Sequence, residues 1–159
     1  MKAIVSSVNK ITARTICGEL SAFMKFYKTN LAELAEKYNL TPIQLFAMNA
    51  LQQKQTAGEG GTMSGLANAL HCDASNVTGI VDRLSALKFI TRQENPNDRR
   101  VKTLQLTAHG QAVLNAINAD LPAKLNCTLL TAEERSQLHG LLVKLNPKIL
   151  NPDLANNQK

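Results

Sequence analysis

The chain has 159 residues, enough for one ordinary domain and too few for a second core of normal size. With 44% apolar and 19% charged residues it can bury a real core, which excludes a fully disordered protein. Lys and Arg number 18 against 12 Asp and Glu, a net +6 that favours a polyanionic partner, nucleic acid or an anionic membrane surface. Cys17, Cys72 and Cys127 form no disulfide framework, which fits a reducing cytoplasm. The apolar residues after Lys2 are broken by Ser6, Ser7, Asn9, Lys10 and Arg14, so no secretory segment is read there. No run approaches the roughly 18 apolar residues of a membrane span, and the sequons at Asn76 and Asn126 are read as chance.

In chain order, Ile16, Leu20, Phe23, Tyr27, Leu31, Leu34 and Tyr38 recur every three or four residues and predict one long helix over about 5–38. A second row, Cys17, Met24 and Leu31, widens its apolar face beyond the need of a surface helix and suggests burial on two sides, as in a dimer arm. Asn39 or Thr41 before Pro42 stops and restarts the helix, giving a second one over 42 to about 53. The stretch 52–61, with three glycines, reads as a loop too polar to pack. Two short helices follow: Ser64 to about His71 with Leu66, Ala67 and Leu70 inward, and Ser75 to Lys88 with Val77, Ile80, Val81, Leu84 and Leu87 inward. Between them, His71 to Ala74 is long enough only for a tight turn.

The period then shortens to two from Phe89 to Glu94 and from Val101 to Leu106, across an Asn95-Pro96-Asn97-Asp98 turn, which predicts a hairpin. Thr107 caps a helix carrying Val113, Leu114, Ile117 and Leu121, with a kink expected at Pro122. Thr131-Ala132-Glu133-Glu134 is a capping box opening a last helix with Leu138, Leu141, Leu142 and Leu145. Pro147, Pro152 and the polar residues 156–159 end it. The expected fold is mainly α with a small β-hairpin wing, a winged helix-turn-helix. It reads as a single domain, 1–159, with dimerisation helices at about 1–38 and 107–150, a DNA-binding lobe at about 41–106 and a flexible tail at 151–159.

In a winged helix-turn-helix the second short helix enters the major groove, and the charge agrees with that reading. Residues 83–102 carry Arg83, Lys88, Arg92, Arg99, Arg100 and Lys102 against Glu94 and Asp98, six minus two or +4 of the total +6, whereas 62–82 hold only Asp73 and Asp82. The cations therefore cluster where phosphates would lie, and the membrane reading has nothing left to explain. The outward positions of the second helix are Ser75, Asn76, Thr78, Gly79, Asp82 and Arg83. Asn76 is suited to a bidentate contact with adenine, Arg83 to a phosphate or guanine, and Gly79 to close approach of DNA. Ser64, Asp98, Arg99, Arg100 and Lys102 complete the expected DNA-binding set. The bland alternative for the helix residues is a solvated face.

Leu84-Ser85-Ala86-Leu87-Lys88-Phe89-Ile90-Thr91-Arg92, then Asp98-Arg99-Arg100, Leu106-Thr107 and Gly110, resembles the wing signature of MarR-type (multiple-antibiotic-resistance) regulators. The family's helix pattern Val-Thr-x-x-Val-Asp-Arg-Leu is matched by Val77, Thr78, Val81, Asp82, Arg83 and Leu84. The resemblance implies a homodimeric, double-stranded-DNA-binding transcription regulator, most often a repressor, acting on a pseudo-palindromic site, with first, fifth and sixth helices forming the dimer interface. It implies that Arg100 enters the minor groove, that Asp98 steadies it, and that Arg99 meets a phosphate. This sequence departs from the pattern twice: Lys88-Phe89 stands where a Gly is common, and Gly79 where a larger, often basic, residue is common.

The resemblance further implies a small aromatic or carboxylic ligand that modulates DNA affinity, for which Phe23, Tyr27, Tyr38 and Met48 are candidates, core packing being the alternative for each. One subgroup senses peroxide through a cysteine early in the first helix, near the place of Cys17. Leu31 and Pro42 stand where tyrosines would hold that thiolate, so a buried structural thiol is expected and a redox switch is the alternative. Cys72 and Cys127 read as structural, and His71-Cys72-Asp73 as neither triad nor zinc site. No cofactor, no metal and no membrane partner are expected. An enzyme with a winged-helix dimerisation domain, such as a methyltransferase, would need a second domain and a glycine-rich cofactor loop, and a protein-interaction module would not need Asp98 and Arg100.

Overall fold

A computed structural model describes residues 11–95 and 98–146, with the side chains of 95 and 98–102 outside the described set. The elements are α1 (Ala13–Glu36), α2 (Pro42–Thr56), α3 (Met63–Leu70), α4 (Ala74–Ala86), β1 (Ile90–Asn95), β2 (Asp98–Leu106), α5 (Ala108–Lys124), a short 3-10 turn (Cys127–Leu129) and α6 (Ala132–Leu145). This is the expected helical fold with one antiparallel hairpin. The chain forms two compact units, Met1–Leu121 and Pro122–Lys159.

Threonine starts five of the six α-helices of the described residues, the exception being α4, which follows Asp73 with no side-chain cap. Thr12, Thr41, Thr62 and Thr131 are N-caps whose hydroxyls accept from a backbone N–H three residues on, and Thr107 does the same for Gly110 N at 2.9 Å. Thr12 corrects the expected start of α1 near residue 5: residues 11 and 12 are not helical, and 1–10 lie outside the described residues.

Three helices end alike. After α1, α3 and α4 the chain turns through a left-handed residue, Asn39 at φ 56°, His71 at φ 50° and Lys88 at φ 59°. At each, two N–H groups fold back onto the last turn: Leu40 N to Ala35 O and Asn39 N to Glu36 O, Cys72 N to Ala67 O and His71 N to Asn68 O, Phe89 N to Leu84 O and Lys88 N to Ser85 O. This double closure satisfies carbonyls that would otherwise be orphaned and stops the helix. It shortens α4 relative to the expected span to Lys88, because Lys88 takes the left-handed position.

The first unit buries Leu31, Leu34, Leu45, Met48, Leu51, Leu66, Val77, Val81, Leu84, Phe89, Ile90, Leu104, Leu106, Val113, Leu114 and Ile117 in one core. The stripe expected of α1 divides along its length. Leu31 and Leu34 are buried and Tyr27 and Tyr38 half-buried, whereas Ile16, Leu20 and Phe23 are exposed. Gly110 lets α5 close on the hairpin: a Cβ there would stand 2.1 Å from the carbonyl oxygen of Phe89. Thr107 fastens the same corner, its N–H donating to Phe89 O at 3.0 Å and its hydroxyl to Lys88 O at 2.8 Å.

The stretch 52–61 is less loose than its glycines suggest. α2 continues to Thr56, and the side-chain Oε1 of Gln55 accepts from Leu106 N at 3.2 Å. Gly61 is buried and exchanges backbone bonds with Leu104, adding a one-residue third strand to the hairpin. A side chain at 61 would meet Leu51 at 2.2 Å, which is why glycine fits there. α5 runs through Pro122 to Lys124, although proline offers no N–H to the carbonyl of residue 118. In the second unit, α6 opens on the Thr131 and Glu134 capping box and has no buried residue. No helix among the described residues is long and apolar enough to cross a membrane.

Candidate nucleic-acid interface

On α4, Val77, Val81 and Leu84 are fully buried. At roughly 100° per residue, the ridge opposite this stripe is Ser75, Gly79, Asp82 and Ala86, with Asn76, Ile80 and Arg83 on one flank and Thr78 and Ser85 on the other. Ser75, Asn76, Thr78, Gly79, Asp82 and Arg83 are all exposed, as expected; Ile80 and Leu87, expected inward, are half-buried. The ridge therefore offers short polar groups on a helix held rigidly by its apolar side. A Cβ on Gly79 would touch nothing within 4 Å, so packing does not demand glycine there. Thr78 spends its hydroxyl on Ala74 O at 3.0 Å. Ser64 is exposed at the start of α3, its Oγ 3.3 Å from Thr62 Oγ1.

The wing rises beside this ridge. Ile90 pairs with Leu106, Arg92 with Leu104 and Glu94 with Lys102. Between Glu94 and Asn95 the register jumps, because Asn95 pairs with Asp98, so the backbone of 99–101 intervenes where β1 has no residue. That insertion carries Arg99 and Arg100, an arrangement composition and alternation did not foretell. The side chains of Asp98, Arg99, Arg100 and Lys102 lie outside the described residues. Arg92, counted with the cations of the wing, is engaged instead with Asp82 of α4, Nη2 donating to Oδ1. Arg83 and Lys88 are exposed.

On the flank away from Asp82, Ile43 and Gln44 of α2, Cys72 of the turn and Asn76, Gly79 and Ile80 of α4 line an open depression of about 350 Å³. A second, of about 590 Å³, lies along α1 between Leu20, Ser21, Met24, Lys25, Lys28 and Thr29. Neither includes Phe23, Tyr27, Tyr38 or Met48. Met48 is fully buried in the core and Phe23 is 47% exposed. Burial raises the pKa of the Tyr27 hydroxyl. Cys17, expected to be buried, is exposed, because the first half of α1 extends past the core of its own unit; Cys72 and Cys127 are half-buried.

A sequence model of the MarR family matches residues 40–102. The HTH-type transcriptional repressor MdtR of Bacillus subtilis is 30% identical over 128 residues, covering 79% of this chain and 80% of the relative. Among solved structures, the YusO protein of Bacillus subtilis is similar with a TM-score of 0.64 at 28% identity, covering 85% of this chain and 97% of that one. A mutant MarR of E. coli complexed with operator DNA has a TM-score of 0.63 at 25% identity, covering 83% and 94%. With the fold, the polar ridge and the signature in agreement, the chain belongs to the MarR family.

Proposed function

We propose that the protein is a sequence-specific transcription regulator that binds double-stranded DNA as a homodimer on a pseudo-palindromic site and acts as a repressor. The observation that carries the reading is the exposed ridge of α4, with Ser75, Asn76, Gly79 and Arg83 open to a groove and a basic hairpin beside it. MdtR, named a repressor, and the MarR complexed with operator DNA support it. The dimer is supported by large apolar side chains that are exposed in the described residues: Ile16, Leu20, Phe23, Met24 and Phe26 on α1, and Leu138, Leu141, Leu142 and Leu145 on α6.

The test is titration of the protein against duplexes it selects from a random pool. Arg100→Ala is expected to weaken selected-site binding by about 1–3 kcal/mol and to lower the salt slope by about 1, with the dimer intact by sedimentation. Unchanged affinity would remove Arg100 from the interface. A small aromatic or carboxylic ligand modulating this affinity completes the proposal. A thiol switch at Cys17 is the second reading, favoured by the exposure of that residue. It requires that peroxide release DNA from the wild type and not from Cys17→Ser.

A further inference from the structure

Arg92 belongs by sequence to the cations of the wing, yet its place in the sheet turns it inward. Alternation along β1 puts Arg92 on the same face as Ile90, 2% exposed, and directly opposite Leu104, 1% exposed. Its stem thus lies toward the core and its guanidinium emerges at the edge, against the Asp82 carboxylate of α4. On the same rung, Leu104 exchanges two backbone bonds with Gly61, at 2.7 and 3.1 Å. The wing is therefore gripped at one level from two sides, β2 by the backbone of Gly61 and β1 by a carboxylate of the groove-facing helix. Beyond that rung β1 runs three more residues, roughly 10 Å, so tilting the hairpin by ~10° there would carry its end by roughly 2 Å.

We infer that Asp82 and Arg92 are positioning residues: the pair sets the angle of the wing to α4, and Arg92 is not a phosphate contact. The inference rests on the DNA-binding reading above for its consequence, though not for its geometry. Both groups are solvent-accessible, 58% and 40% exposed, so the pair adds little to global stability. Its effect is on direction. Pairing also masks the one carboxylate on a ridge that must approach phosphates.

The experiment compares wild type, Asp82→Asn, Arg92→Gln and the swap of Asp82→Arg with Arg92→Asp. It measures hydrogen exchange of the wing amides in the free protein and binding of a pool-selected duplex across a salt series. Both single variants are expected to exchange faster over β1, with thermal midpoints within about 3 °C of wild type, and to bind about tenfold more weakly at an unchanged salt slope. The swap is expected to restore slow exchange. Tighter binding by Asp82→Asn, or a salt slope lowered by about 1 in Arg92→Gln, would make Arg92 a phosphate contact and overturn the inference. Wing exchange indifferent to all three changes would overturn it whether or not the wild type binds DNA. A wild type that binds no duplex while its wing exchange still depends on the pair refutes the DNA-binding reading and supports the positioning one.

Discussion

Lys88 holds a left-handed conformation, φ 59°, to close α4 and launch the wing. A side chain there costs about 1–2 kcal/mol, while glycine returns about 0.5–1 kcal/mol of disadvantage through the freedom of its unfolded chain. The difference favours Lys88→Gly by about 0.5–1 kcal/mol, a rise in thermal midpoint of a few degrees. A fall would mean that the lysine stem contributes packing. Gly110 presents the opposite case. Its missing Cβ leaves room for a carbonyl oxygen that would stand 2.1 Å away and that already accepts from Thr107 N. Gly110→Ala must push the base of the wing off α5, and a loss of about 2–3 kcal/mol is expected in chemical denaturation. A midpoint unchanged from wild type would show that this corner yields freely.

Helix starts were more legible than helix ends. Thr41 before a proline, Thr107 after an alternating strand and Thr131 three residues before Glu134 each announce a cap by chemistry local to a few residues. The end of α4 was overrun because its left-handed closure falls to Lys88, a residue that carries no such signal in sequence, where glycine would have shown it. The capping box of α6 offers a direct check. Hydrogen bonds from the backbone and then the hydroxyl of Thr131 hold the Glu134 pKa below its ordinary 4.5. A carboxylate whose pKa is depressed on folding contributes stability that is complete above the ordinary value and is lost as pH falls through the lowered one. An NMR titration should place the Glu134 midpoint below 4.5, and Thr131→Ala should return it upward. A midpoint at or above the ordinary value would mean the box is open in solution.

Across the whole molecule, what the sequence made legible was set by range. Periodicity placed every helix, and the cation cluster singled out the wing. Contacts spanning many residues, such as Gly61 against Leu104 or Asp82 against Arg92, leave no periodic trace and emerged only from the fold. The apolar width of α1, by contrast, was readable at once, and its exposure from Ala13 to Phe26 bears directly on the proposed dimer. If a second copy covers that face, thermal midpoints must rise with protein concentration, each tenfold adding about 1.4 kcal/mol to the assembled state. A midpoint independent of concentration, with a monomeric mass, would refute the dimer. Those same residues have little but intrinsic propensity to keep them helical in an isolated protomer, and an uncovered helix of about this length is marginal in water. Under the proposed dimer, ordering of the arm and assembly become one event. Occupancy of a two-half site would then rise more steeply than in proportion to protein made, and a cell could cross from expression to silence over a narrow range of copy number.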